Sequence, residues 1–395
     1  MIIAFGAVLL VAILISGIAN RTVLSTAVLF LFAGFALGDG VLGVINLEAG
    51  DPAVSLIAQL ALFVVLFTDG QRIAVGDLRR AWRLPGRALL FGMPLTFVVT
   101  AFLGMLLLGV PWIQAALVAA VLAPTDPVLS SAIVGREEIP GRIRHLLSVE
   151  SGLNDGLALP AVLIFLAIAD GQQTEFGLLA LELVGGIVLG VAVTLLVALL
   201  VKLRFFPSTP LYASLTPVAI ACLIFGISTA TGANLYLAAF AAGITIATAM
   251  PEVRDSFIEF GDYVAEVVKL LALFVFGALI SPAVLGDVSI GGYIFCALTL
   301  VLARPLAVEV SLIGSRLPWE ERATAAWFGP KGFASVLYGL LVLQSGLVDA
   351  THLFHIIVVA ISFSIIAHSS TDVPIARWFA KREQEDRDRA AASPT

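Results

Sequence analysis

The sequence is poor in charge and in cysteine. Asp, Glu, Lys and Arg make up 13% of its 395 residues, whereas soluble domains have about 25%. Apolar residues make up 60%, and the mean hydropathy is +1.05. The two cysteines, Cys222 and Cys296, lie in apolar segments without a CxxC or histidine spacing, so we expect core residues rather than a metal or redox site. These values exclude a soluble fold and indicate a polytopic membrane protein.

Apolar windows of about 20 residues, the length of a membrane helix, recur along the chain. We count about thirteen, at 2–19, 23–38, 53–70, 87–109, 112–134, 143–168, 176–201, 211–229, 232–250, 263–285, 289–314, 322–344 and 352–376. The sequence therefore predicts an all-α fold with about thirteen transmembrane helices. Residues 1–380 are expected to form one membrane transport domain, and 381–395 a short, disordered cytoplasmic tail.

The basic residues orient these helices. All but three of the 22 Lys and Arg residues fall in alternate loops or in the tail. The loops on the opposite side carry only acids, among them Asp39, Asp170, Asp287 and Asp349. The positive-inside rule then places the N-terminus outside and the C-terminus in the cytoplasm of a bacterial-type inner membrane. No basic residue precedes the first apolar run, so we expect an uncleaved first helix rather than a signal peptide.

Two predicted helices are interrupted in the middle. The fifth carries Pro124-Thr125-Asp126-Pro127, and the twelfth carries Gly329-Pro330-Lys331-Gly332. Proline breaks the helical hydrogen-bond ladder, and irregular backbone at membrane depth is tolerated only beside protein or water. The two helices are an odd number of spans apart and run in opposite directions. We therefore predict two inverted repeats whose broken helices cross at a binding site.

Acids beside these breaks are candidate ion ligands, because carboxylates at membrane depth are functional by default. In the sixth helix, Ser151 and Asp155 are four residues apart and share a face. We expect this face to meet Asp126. Glu150 and Asn154 form a second pair with the same spacing.

Glu150 lies on a different side of the sixth helix from Asp155 and needs a cation. Arg304, beside Pro305 in the eleventh helix, is the best candidate. Lys331 is predicted to neutralise the C-terminal end of the half-helix at its own break.

Oxygen ligands from Asp, Ser, Thr and Asn suit a hard cation such as Na⁺ or Li⁺ and do not suit a soft metal. A desolvated carboxylate binds either a proton or a cation. Competition of the two for Asp155 would couple their transport. Oxygen ligands alone do not distinguish Na⁺ from K⁺. Exchange of K⁺ for H⁺ is therefore the alternative to exchange of Na⁺ or Li⁺ for H⁺.

These motifs resemble the sodium/proton exchanger family in its NhaP and NHE branch. The resemblance rests on Pro124–Pro127, on Glu150-Ser151-x-x-Asn154-Asp155, on Leu66–Gly70, on Arg304-Pro305 and on Gly329–Gly332. It implies a homodimer in which a core part (helices 4–6 and 11–13) moves against a dimerisation part (helices 1–3 and 7–10). It also implies that Asp155 carries Na⁺ or H⁺, that Asp126, Thr125 and Ser151 complete or support the site, and that Glu150 and Arg304 form a structural pair.

The resemblance has two finer implications. The Asn154-Asp155 form is associated with electroneutral one-for-one exchange. At the second break we would expect Arg in a Gly-x-Arg-Gly pattern, and this chain has Lys331. The charge is kept but the bidentate geometry is lost, which leaves the ion preference and the pH set-point open.

Five further residues are weaker candidates. Asp69 either lines the ion entrance or is a plain interfacial acid. His145 either tunes the pH response or is a solvated loop residue. His355 and His368 are expected to be packing or interfacial residues, with a proton pathway as the alternative. Lys269 is expected to snorkel to the cytoplasmic side or to pair with Glu266 or Asp262.

Functions of other classes fit less well. The chain has no GxSG arrangement and no YD…GxGD arrangement of the kind an intramembrane protease needs, and a channel does not need two broken helices around a protonatable acid. We predict no enzymatic activity, no cofactor and no nucleic-acid partner. The expected partners are monovalent cations, protons and the lipid bilayer. A membrane sensor that has lost transport is the remaining alternative.

Overall fold

A computed structural model describes residues 1–19, 26–48, 50–76, 83–126, 139–170, 176–203 and 209–392. Throughout these ranges the regular structure is helical, and they contain no strand. The all-α prediction is confirmed.

The helices of nine or more residues are numbered here in chain order, and the short helices Pro210–Ala213 and Pro282–Asp287 carry no number. The numbered helices are α1 (Ile2–Ala19), α2 (Thr26–Leu37), α3 (Pro52–Gln71), α4 (Pro85–Leu107), α5 (Trp112–Leu122), α6 (Gly141–Ala169), α7 (Phe176–Lys202), α8 (Thr216–Thr231), α9 (Leu235–Ala249), α10 (Pro251–Ala278), α11 (Ile290–Ser311), α12 (Trp319–Trp327), α13 (Phe333–Leu343) and α14 (Ala350–Ala392). In the described part, six helices are long and apolar enough to cross a membrane, namely α3, α4, α6, α7, α11 and α14. Of the shorter apolar helices, α2, α5, α8, α9 and α13 pack with them, and α1 packs against α2.

Both predicted breaks occur within the described residues. The predicted fifth helix is regular as α5 only to Leu122, and residues 123–126 are irregular. Pro127 and the rest of that window lie outside the described residues. The predicted twelfth helix consists of two pieces, α12 and α13, separated by residues 328–332. Prolines and glycines in these segments prevent a continuous ladder.

A second irregularity also occurs twice. A π-turn at Ala88–Gly92 in α4 is followed by Pro94, and a π-turn at Thr299–Ala303 in α11 is followed by Pro305. A π-helical segment of this kind locally interrupts the regular α-helical hydrogen bonds, and the nearby proline, which has no N–H, cannot complete them. Each of these helices precedes a broken one, as expected of an internal repeat.

The start of the tenth helix and the disorder of the tail were predicted wrongly. The tenth helix begins at Pro251 rather than at 263, because hydropathy detects only its apolar half and misses the polar amphipathic turns before it. The tail was expected to be disordered, but α14 continues to Ala392. The tail is rich in Ala, Arg and Glu, which are strong helix formers, and Lys381 lies 3.8 Å from Glu385 one turn later.

Small residues set the helices around α6 close together. A Cβ atom on Gly70 of α3 would lie 2.6 Å from the carbonyl oxygen of Phe240 in α9, and one on Gly243 would lie 2.4 Å from the carbonyl oxygen of Phe67. Such close approach is typical of helix packing in membranes. It brings α3 and α9 against each other beside α6, where the predicted site lies.

Candidate functional site

The two broken segments are hydrogen-bonded directly to each other. The backbone N–H of Asp126 donates to the carbonyl oxygen of Pro330 at 2.9 Å. The N–H of Phe333, the first residue of α13, donates to Asp126 Oδ2 at 2.8 Å. The first N–H groups of a helix have no partner within it, and the helix dipole favours an anion there. Asp126 therefore stabilises the start of α13 from the other broken segment.

The crossing has a tight steric requirement. A Cβ atom on Gly332 would lie 2.1 Å from Asp126 Cβ and 2.3 Å from its Oδ2, so only glycine fits. On the other side, Ser335 Oγ donates to the carbonyl oxygen of Val121 at 2.8 Å. That carbonyl is near the end of α5, where the helix leaves acceptors without partners. Each broken helix thus satisfies backbone groups of the other.

Hydroxyl and amide groups of α6 meet the first break. Asn154 Nδ2 donates to Thr125 Oγ1 at 2.7 Å, and Thr125 Oγ1 lies 3.3 Å from Ser151 Oγ. All three side chains are buried. The structure therefore brings together the predicted residues Thr125, Ser151 and Asn154.

Asp155 is buried in the same region, with 3% of its surface exposed. Its Oδ1 has no hydrogen-bond donor among the described residues, and neither has the Oδ1 of Asn154. Tyr338 of α13 donates to the backbone oxygen of Asp155 at 2.6 Å, which holds this turn of α6 in place. The negative charges of Asp69 and Asp126 lie close enough to repel that of Asp155. Buried acceptors without donors are costly, and a proton or a cation would satisfy them.

Glu150 and Arg304 form a buried bidentate ion pair. Arg304 Nη1 lies 2.7 Å from Glu150 Oε1, and Nη2 lies 3.2 Å from Oε2. Arg304 Nη2 also donates to the carbonyl oxygen of Phe328 at 3.2 Å, just after α12 ends. A Cβ atom on Gly329 would come within 1.6 Å of Arg304 Nε. The pair therefore lies directly against the second break.

Lys331 does not hydrogen-bond to the end of α12. Its backbone N–H donates to Ser364 Oγ at 2.7 Å, and its Nζ has no hydrogen-bond partner among the described residues. The carbonyl of Trp327, the last residue of α12, lies 2.9 Å from His368 Nε2. The contacts at that helix end therefore come from His368 and Arg304, and the His368 side chain is buried.

The snorkelling predicted for Lys269 is wrong. Its side chain is buried, 3% exposed, with Nζ 5.5 Å from the centroid of the Phe333 ring, so it does not snorkel. Asp262 instead pairs with Arg72, at 2.8 Å. Asp69 is also buried, with 3% of its surface exposed, and its negative charge attracts the ammonium group of Lys269. The sequence expectations missed this environment because position along α10 does not show which helix covers that face.

Two histidines that were weaker candidates for a functional role, His145 and His355, lie away from the site. His145 is exposed on the first turns of α6. His355 Nδ1 lies 2.8 Å from Asp287 Oδ2 near the start of α14. Tyr338 and Ser335 also contact the site and were not among the residues predicted from the sequence. A polar group in the apolar helix α13 was the available signal for both.

The chain resembles known proteins over almost its whole length. The family model described as "Sodium/hydrogen exchanger, transmembrane" matches residues 6–378. The K⁺/H⁺ antiporter NhaP of Alkalimonas amylolytica is 26% identical over 95% of this chain and 66% of its own length. A K⁺/H⁺ antiporter NhaP2 of Shewanella baltica is 25% identical over 93% of this chain and 64% of its own. The chain thus spans about two thirds of these relatives.

A solved structure has the same fold. The sodium proton antiporter MjNhaP1 of Methanocaldococcus jannaschii, at pH 8, superposes with a TM-score of 0.78 and 20% identity, covering 94% of this chain and 96% of that one. A probable Na⁺/H⁺ antiporter of Schizosaccharomyces pombe is 26% identical over 74% of this chain and 41% of its own length.

Proposed function

Because the chain belongs to the transmembrane sodium/hydrogen exchanger family, we propose that it is a membrane antiporter that exchanges Na⁺ or Li⁺ for H⁺, one for one. The observation that carries this proposal is the buried Asp155 carboxylate, whose Oδ1 has no donor among the described residues. It lies on α6 beside two crossed broken helices.

The two cargo ions compete for Asp155. A proton supplies the missing donor to the carboxyl oxygen, and a cation supplies the missing positive charge. Asn154 Oδ1, which also lacks a donor among the described residues, and the hydroxyls of Thr125 and Ser151 add oxygen ligands. Asp126 contributes negative charge while its Oδ2 holds the start of α13. One carboxylate that is loaded with either ion, but not both, gives coupled exchange.

Coupling also requires that the site cannot change its access from one side of the membrane to the other while it is empty. An ionised Asp155 without a cation is costly to move through a low-dielectric interior. If only the loaded site changes its access from one side of the membrane to the other, each cation that leaves is replaced by a proton. One charge then moves in each direction, so the exchange is insensitive to the roughly 2.3 kcal/mol per charge that a potential of 100 mV supplies.

The change of access is proposed to be a movement of one group of helices against another. We place the site-bearing helices α4–α6 and α11–α14 in a core that moves against α1–α3 and α7–α10, with the latter forming the contact of a homodimer. The N-terminus is placed outside and the C-terminus in the cytoplasm, on the distribution of basic residues.

K⁺ is the second candidate cargo. The relatives from Alkalimonas and Shewanella carry the name K⁺/H⁺ antiporter, and oxygen ligands bind both ions. Lys331 also differs from the Arg that the family resemblance leads us to expect at the second break. These observations concern the choice of ion and leave the role of Asp155 unchanged.

The test is proton flux in proteoliposomes that hold an imposed pH gradient. Na⁺, Li⁺ and K⁺ are added in turn, with and without a clamped membrane potential. We expect Na⁺ and Li⁺ to dissipate the gradient at a rate that does not depend on the clamp. Asp155→Asn should abolish this flux, because the amide cannot exchange a proton for a cation.

Asp170→Asn is the matched control, since it makes the same substitution at the exposed end of α6 and should transport like the wild type. Dissipation by K⁺ alone would keep the site and change the cargo. A wild-type protein that responds to no cation, or an Asp155→Asn variant that retains the flux, would overturn the proposal.

A further inference from the structure

A buried lysine accompanies the acids of the site. Lys269 is on α10, which packs against α3 and α13. Its Nζ lies over the ring of Phe333, the residue whose N–H binds the Asp126 carboxylate. An ammonium group over an aromatic face is stabilised by the ring. Lys269 and Asp126 therefore meet at the same residue, at the start of α13.

The charges around Lys269 come from several helices. Asp69 of α3, Asp126 of the first break and Glu266 on α10 itself attract it, and Arg72 opposes it. The charge of Lys269 in turn acts on Asp155. These interactions connect one buried ammonium to the acids that surround the cargo site.

The other cations near the site face different groups. Arg304 is held by Glu150 in a bidentate pair, and the charges that act on Lys331 are those of Arg304 and Glu150. Arg72 is bound to Asp262. Lys269 differs from them in its position, because its Nζ lies over the ring of Phe333, whose N–H binds the Asp126 carboxylate.

We propose that Lys269 is an internal counter-charge of the ion site, which lowers the affinity of Asp155 for its cargo and so sets the cation affinity of the exchanger. This inference rests on the proposed function. The balance of charge is consistent with it, because Asp69, Asp126 and Asp155 outnumber the single ammonium. The site stays attractive to a cation, but binds it less tightly than an unaccompanied cluster of acids would, and release is faster.

Lys269→Met removes the charge and keeps an apolar chain of similar length. Because Na⁺ and H⁺ compete for one carboxylate, the neutral variant should strengthen the binding of both by the same factor, on the order of tenfold for a unit charge in a buried site. At high pH, where little H⁺ competes, the KM for Na⁺ should fall about tenfold. At low pH the tighter binding of H⁺ offsets the tighter binding of Na⁺, and KM should match the wild type. The pH at which KM begins to rise therefore moves up by about one unit.

The test measures KM and kcat for Na⁺-driven proton flux across this pH range. Lys269→Arg keeps the charge and should keep the wild-type KM. Lys202→Met, at the exposed end of α7, changes the net charge equally and should change nothing. Lys269→Gln is the second neutral variant if the Met variant aggregates. A fall in kcat with unchanged KM at every pH would mean that Lys269 only packs, and would overturn the proposal.

Equilibrium binding separates this inference from the proposed function. The dissociation constant of Na⁺ is measured by calorimetry on purified protein, with choline chloride as the reference salt. An approximately tenfold lower constant for Lys269→Met at high pH supports the role of Lys269, even if the wild type proves unable to exchange ions. Equal constants, or no binding of Na⁺ to either protein, would refute it.

Discussion

Glu150→Gln is expected to destabilise the protein through a charge that loses its partner. Glu150 and Arg304 have 2% and 5% of their side chains exposed, so the substitution leaves a buried guanidinium unpaired. Removing one member of a buried pair costs about 3–5 kcal/mol. With an unfolding entropy of about 2.1 cal/mol/K per residue over the whole chain, the expected fall in Tm is about 5 °C.

The assay is thermal unfolding in detergent, followed by intrinsic fluorescence. Lys381→Gln is the control, because it breaks an exposed pair in which the two side chains are 80% and 51% accessible. Exposed pairs contribute about 0–1 kcal/mol, so its Tm should stay within about 1 °C of the wild type.

A double variant tests the cause. Glu150→Gln with Arg304→Gln leaves no unpaired charge and should recover part of the loss. It should not recover all of it, because Arg304 also donates to the carbonyl of Phe328 at the end of α12. A Glu150→Gln protein that unfolds within 1 °C of the wild type would contradict the reasoning, as would a double variant less stable than the single one.

Two further predictions follow from local geometry. Gly332→Ala places a Cβ atom 2.1 Å from the aspartate that caps α13, so it should lower Tm and abolish transport, whereas Gly226→Ala, with nothing within 4 Å, should be neutral or slightly stabilising. Hydrogen bonds from His352 and His355 lower the pKa of Asp287 below its ordinary value. A lowered pKa stabilises the folded state above the unfolded value of about 3.9 and loses this effect as the pH falls through the folded value. Asp287→Asn should therefore unfold at lower temperature than the wild type near pH 6, and the difference should shrink as the pH falls below about 4; a constant difference would contradict the assignment.

The sequence was most informative where polar residues interrupt apolar windows. Asp126, Glu150 and Asp155 stand out because charge at membrane depth is rare, and helical spacing separates the face of Glu150 from that of Asp155. The need of each buried charge for a partner then led to Arg304. Both breaks follow from the fixed backbone preferences of proline and glycine. These features are local, and a single sequence contains them.

Contacts between distant helices had no comparable signal. The expectation for Lys269 treated a lysine in an apolar helix as snorkelling, whereas its side chain is buried with Nζ over the ring of Phe333 in α13. Lys331 was assigned to the end of α12, but His368 and Arg304 contact the carbonyls there. The donor Tyr338 and the caps formed by Asp126 and Ser335 depend on how two broken helices cross. Spacing along one helix does not encode that crossing.

The buried charges of the site divide into groups with separable consequences. Glu150 and Arg304 neutralise each other and touch the backbone of the second break, so their loss should appear first in Tm. Lys269 acts on Asp155 through charge without a direct hydrogen bond in the described structure, so its loss should appear in KM. Asp155 has an oxygen without a donor and is the group that exchanges ions, so its loss should remove transport while leaving the fold intact. A variant that moved the wrong quantity, such as Lys269→Met lowering Tm without changing KM, would show that the charges form one cooperative network rather than separate groups.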